Sequence, residues 1–229
     1  MFDEKKFNKN IKKCIELLSK NEYLIQAGCL TSLNASDDFK EKSRNSNTYR
    51  EIYDLGAVNQ DFNFMLNDNS FFQFSQERNG NIRLVYYPNP YNSFEYQDTK
   101  LEIEKMLQNN DITHEDYEQF LSEEFFLGDI PLIRYDYSIE QYCKNYHPAA
   151  HFHIGFHSEN RWPVKRILSP FVFTLKILML YYPNLWKIWG DNNENPNLLD
   201  ELYRKELQSC NLVDAEYFCD LDENRLYFN

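Results

Sequence analysis

A chain of 229 residues with 17% aromatic side chains, 17 of them Tyr and 18 Phe, can bury one sizeable core despite a negative mean hydropathy, and this argues against disorder. Six Gly, eight Pro and no Ser/Gly/Pro-rich stretch leave no flexible spacer, so a single domain spanning 1–229 is expected. The net charge of -12 excludes general coating of nucleic acid, because phosphate would add to the self-repulsion of the chain, although a local basic site stays open.

The opening MFDEKKFNKN lacks the apolar core of a secretory signal, and the longest apolar run, 170–183, is short and interrupted by Lys176. Five scattered cysteines without a CxxC pair fit reduced thiols better than a disulfide framework, and the expected location is cytoplasmic. In chain order, Phe7, Ile11, Cys14, Ile15 and Leu18 recur at helical spacing and predict an amphipathic helix over 4–20. From Asp61 the pattern becomes β-rich. FNFMLND, FFQFSQE and NIRLVYYP read as strands, the last two joined through Asn79-Gly80, a hairpin signal, and Pro88-Asn89-Pro90 ends the region at about 60–90.

Thr99 with Glu102, and Thr113 with Asp116, resemble capping boxes that would open two short helices, with His114 exposed in the first turn of the second. IPLIRYDYSI (130–139) and AAHFHIGF (149–156) then predict a second strand pair within the region 130–157. Ser169-Pro170 opens a buried helix that runs to Tyr182 and stops at Pro183. A further helix over about 196–208 and a hairpin around Asp222-Glu223-Asn224 complete an α+β reading, a mainly antiparallel sheet packed against helices.

His147, His151, His153 and His157 fall within eleven residues. On a strand, His151 and His153 share one face while Phe152 and Ile154 take the other; imidazole suits proton transfer and metal ligation near neutral pH. Arg134 and Asp136 share a face on the preceding strand, with Leu132 in the same row. If the polar faces coincide, Arg134, Asp136, His151 and His153 meet, with His147 nearby. Arg161, Lys165 and Arg166 put three cations into six residues of an acidic chain and could hold a phosphate.

These are weak motifs one by one: a His pair on a strand is often structural, and an Arg–Asp pair across strands is often an ion pair that stabilises the sheet. His147-x-x-x-His151-x-His153 supplies nitrogens for an open zinc site, Cys143 is the nearest thiol, and a divalent metal stays open as a cofactor. HExxH, Walker, GxGxxG and GxSxG patterns are absent.

HPAAHFHIG at 147–155, with PLIRYDY at 131–137 before it and Arg161-x-Pro163 and LSPFVF at 168–173 after it, resembles an uncharacterised bacterial family known as a domain of unknown function. FFQFSQE and LVYYPNPY resemble its N-terminal half, so the likeness covers about 60–185. By motif match it points to Arg134, Asp136, His147, His151, His153, Arg161 and Pro163. It implies a setting among bacterial mobile and defence loci, hence an antiphage or toxin-like role.

Two functions compete. One is a nuclease or other phosphodiester hydrolase, with the histidine face as catalyst and the basic turn as phosphate clamp, binding nucleic acid locally. The other is a non-catalytic subunit of a defence complex whose acidic, aromatic surface binds a protein partner. Neither involves a membrane.

Overall fold

A computed structural model describes residues 3–92, 94–123, 131–157, 159–191 and 198–226. Helix α1 (Glu4–Lys20) starts where the Asp3 carboxylate accepts the Lys6 N–H at 2.9 Å, and it buries Phe7, Ile11, Cys14 and Leu18 as the periodicity predicts. Seven strands follow among the described residues: β1 (Leu24–Ala27), β2 (Phe64–Leu66), β3 (Phe71–Gln76), β4 (Ile82–Tyr87), β5 (Ile133–Tyr137), β6 (Ala150–Ile154) and β7 (Trp162–Pro163). They form one antiparallel sheet in chain order. Gly80 at φ +93° turns the β3–β4 hairpin, and β4 ends at Tyr87, before Pro88. The α+β class expected from the sequence is the class observed.

Helices fill the connections. α2 (Asp37–Asn45) and α3 (Tyr49–Val58) lie between β1 and β2, and α4 (Phe94–Gln108) and α5 (His114–Glu123) lie between β4 and β5. The C-terminal part carries α6 (Pro170–Tyr181), α7 (Pro183–Gly190), α8 (Leu198–Gln208) and α9 (Asp220–Asn224). Ser169 caps α6, its hydroxyl accepting the Val172 N–H at 3.3 Å. Pro183 ends α6 but also opens α7, as proline at a first helical position can.

Two expectations are corrected. Thr99 lies inside α4, which starts at Phe94 and has no Gly or Pro to break it, whereas Thr113 and Asp116 do exchange capping bonds, at 2.9 and 3.1 Å. The hairpin expected around Asp222 is helix α9: the Asp222 carboxylate accepts the Cys219 N–H at 3.0 Å and nucleates a helical turn. Ile130 of the expected strand, and residues 196–197 of the expected helix, lie outside the described residues.

Period-2 alternation divides the sheet into two faces. On one, Phe72, Phe74, Leu84, Tyr86, Ile133, Tyr135 and Phe152 pack with α1 and with α6, whose residues Pro170–Thr174 are buried all round. On the other, Phe71, Val85 and Tyr87 meet Phe39 of α2 and Ile52 and Tyr53 of α3. Among the described residues, no helix is long and apolar enough to cross a membrane.

Candidate active site

The second face is graded along its strands. The register sets Ser75, Arg83, Asp136 and His151 in one transverse row and Gln73, Val85, Arg134 and His153 in the next; Phe71 and Tyr87 pair in a third. Helices α2 and α3 cover the apolar end, and Ser75, Arg83, Gln73, Val85, Arg134 and His153 of the polar rows line the floor of a cavity of about 640 Å³.

The cavity walls are built by short-range bonds. Buried Asn63 donates to the Cys29 and Thr31 carbonyls at 2.6 and 2.9 Å, and Ser32 is bonded to Gln76 in both directions, so residues 31–35 lie along the sheet. Asp61 accepts the Ser36 N–H and hydroxyl at 2.8 and 2.6 Å, which fixes the start of α2. At the opposite rim, Gly155 (φ +102°) and His157 (φ +49°) turn the chain, and His157 Nε2 donates to the Ser46 carbonyl at 2.6 Å. His157 therefore ties the β6–β7 turn to the end of α2.

The sequence-predicted residues converge at the floor: Arg134 and His153 line it, and Asp136 and His151 bond to them from beside it. Asp136, His151 and His153 are 8%, 1% and 5% exposed. The Asp136 carboxylate faces two guanidinium groups, Oδ1 toward Arg83 Nε and Oδ2 toward Arg134 Nε, each at 2.8 Å. The Arg83 contact is an aligned hydrogen bond, whereas the Arg134 Nε–H is not aligned with its oxygen. Burial raises the Asp136 pKa, but Arg83 and Arg134 outweigh it and hold the carboxyl below the usual carboxylate range.

The protonation of the histidine pair follows from its partners. A backbone carbonyl only accepts, so His151 Nδ1–H donates to the Pro148 carbonyl at 2.9 Å. Burial, then His153, pushes the His151 pKa down to about 4, so its Nε2 is a lone pair at neutral pH. His153 Nε2 lies 3.0 Å from it and, opposite that lone pair, donates the shared hydrogen. Asp136 Oδ2 lies 3.7 Å from His153 Nε2. His147 stacks edge-on against His151 at 4.8 Å between ring centroids; burial and Arg161 lower its pKa.

Five cations line the cavity: Lys40 and Arg44 from α2, Arg83, Arg134 and Arg161; Glu77 and Glu159 are the acids of the same lining. Arg161 bonds the Glu159 carbonyl and carboxylate, both at 3.2 Å. The other two predicted cations lie elsewhere. Lys165 pairs with Glu223 at 2.7 Å, and Arg166 donates to the Cys210 carbonyl at 2.8 Å, so both tie the C-terminal helices to the sheet. The sequence reading did not include Arg83, Lys40 or Arg44. Arg83 had a signal, since it alternates with Ile82 and Leu84 on a strand with one apolar face.

Asp136, His151 and His153 each offer a ligand atom within 4.8 Å of the others, and a backbone-bonded His151 presenting Nε2 is a common metal-ligand arrangement. A divalent ion there would require His153 to move its hydrogen to Nδ1, and it would compete with the two guanidinium groups for Asp136. As it stands, the charge at the site suits an anion.

A family model described as uncharacterized conserved protein (DUF2290) matches residues 19–228. No curated protein and no solved structure matches.

Proposed function

The chain belongs to the DUF2290 family, and from the geometry of the cavity we propose that it binds a phosphoryl ester there and cleaves a phosphodiester bond in nucleic acid. The supporting observation is the inversion of charge: a chain of net charge -12 lines one cavity with five cations and sets His153, hydrogen-bonded to His151 behind it, in its floor. Arg83 and Arg134, positioned by Asp136, face the phosphoryl oxygens, and Arg161 adds positive charge at the rim. His153 takes a proton from the attacking water as its oxygen bonds to phosphorus. The bond from phosphorus to the leaving oxygen breaks, and the proton on His153 passes to that oxygen, restoring the neutral ring. His151 and His147 do not touch the ester in this scheme; they position His153 and keep the pair dry. In the setting that the sequence resemblance suggests, this reaction would serve an antiphage or toxin-like effector.

The test is cleavage of end-labelled single-stranded RNA and DNA by purified protein in excess chelator, wild type beside His153→Asn. Wild type should cleave, and the variant, folded to the same Tm, should lose about 10²–10⁴-fold in rate. Absence of wild-type cleavage with or without divalent metal, or an unaffected variant, would return the chain to the alternative of a non-catalytic subunit in a defence complex. Cleavage that needs added metal would move the role of His153 from proton transfer to ligation.

A further inference from the structure

The same cavity has two chemically different ends. Its floor runs from Ser75 and Arg83, through Arg134 and His153, to Tyr87, which pairs with Phe71. Four residues along a strand separate the first row from the third, roughly 13 Å. At the far end Tyr49 and Phe156 are partly buried, line the cavity and pack against each other with ring centroids 6.0 Å apart, next to Ile52 and Leu132. A ligand made only of phosphate would leave that aromatic end unused, and an apolar ligand would make no use of the guanidinium groups at the other.

The lining also contains one buried polar atom without a hydrogen-bond partner, Arg161 Nε. A buried donor left unsatisfied is uncommon in folded chains and is consistent with a group that binds there. The volume of about 640 Å³ is that of a small-molecule site, enclosed by α2 on one side and by Gly155–His157 with Glu159 and Arg161 on the other. A double helix cannot place a base in such a space without extruding it.

Given that the site holds a phosphoryl group, as proposed above, we infer that what it recognises is one nucleotide unit, the phosphate on Arg83, Arg134 and His153 and the base against Tyr49 and Phe156. The unit is a free nucleotide or the end of a single strand. Rings of any base can stack on an aromatic side chain, so the recognition is tolerant of sequence.

The experiment is calorimetric titration of the wild-type protein with five probes: inorganic phosphate, adenosine, adenosine 5′-monophosphate, a 5′-phosphorylated single-stranded octanucleotide carrying non-hydrolysable linkages, and the blunt duplex of that octanucleotide. The monophosphate should bind at least tenfold more tightly than phosphate or adenosine, and the single strand more tightly than the duplex. A single strand no tighter than the monophosphate identifies a free nucleotide as the ligand; a tenfold gain identifies a strand end. Phe156→Ala should weaken the monophosphate about tenfold and leave inorganic phosphate unchanged, and the wild-type series decides the question even if that variant does not fold. Equal affinities for phosphate and monophosphate, or a duplex that binds as well as the single strand, would overturn the inference while leaving phosphodiester cleavage intact. Failure of every probe, phosphate included, would overturn both.

Discussion

At Asp136 one carboxylate holds two guanidinium groups and stands beside a histidine pair, so changes to it spread across three strands. Asp136→Asn would leave Arg83 and Arg134 facing each other across a neutral amide. Because Arg83 is half exposed, the expected loss is at the low end for a broken ion pair, about 2–3 kcal/mol, read by chemical denaturation. His151 adds a pH dependence. Its folded pKa, about 4, is below its unfolded value, so between those values the unfolded chain binds more protons. Stability should therefore be full above pH ~6.5 and fall as the pH drops toward 4, by about 2 kcal/mol after solvent screening, with Asp136 adding a further loss below the normal carboxylate pKa. Tm measured from pH 8 to pH 4 should follow this course, and His151→Gln should flatten the upper part of the slope. An unchanged slope in that variant would mean that His151 is not the titrating group.

At the scale of elements, the cavity depends on how α2 and α3 sit on the sheet. Gly56 of α3 is the contact point: a Cβ there would lie 2.8 Å from ring carbons of both Phe39 and Phe71. Gly56→Ala should wedge these rings apart and cost about 1–3 kcal/mol in denaturation, with ligand affinity falling as the wall formed by α2 moves. An alanine variant as stable as wild type would show that the helices adapt without moving. These helices were also the hardest elements to foresee. α2 buries only Phe39, so its sequence carries a single apolar anchor, and its place is set by Asp61, Ser36 and the sheet beneath it. By contrast α1 shows four buried residues at helical spacing, and β5 and β6 show clean alternation, so the meeting of Arg134, Asp136, His151 and His153 was legible. The place of Arg83 was legible only as one face of a strand. That β4 pairs with β5 across the intervening helices is a tertiary fact, and without it the second arginine on Asp136 cannot be assigned. The departure at α9 has a local cause: Asp222 belongs to a residue type that favours turns, and here its carboxylate caps a helix.

For the whole molecule, a basic cavity in a chain of net charge -12 makes ligand binding an electrostatic balance between near attraction and distant repulsion. Salt should weaken binding of a phosphate ester, with a shallower slope than for a protein whose entire surface is basic, because only a few cations take part. Arg134→Gln should reduce that slope, whereas Lys165→Gln, which removes a cation paired with Glu223 outside the cavity, should not. Equal effects of the two variants would argue that the general field, rather than this cavity, governs binding. The most direct test of the account is a crystal structure grown with orthovanadate, a mimic of the phosphoryl group in transfer. The account predicts the anion on the cavity floor, within hydrogen-bond distance of Arg83, Arg134 and His153, with the His151–His153 bond intact. An empty floor with vanadate bound elsewhere, or a divalent ion seated among Asp136, His151 and His153, would contradict it.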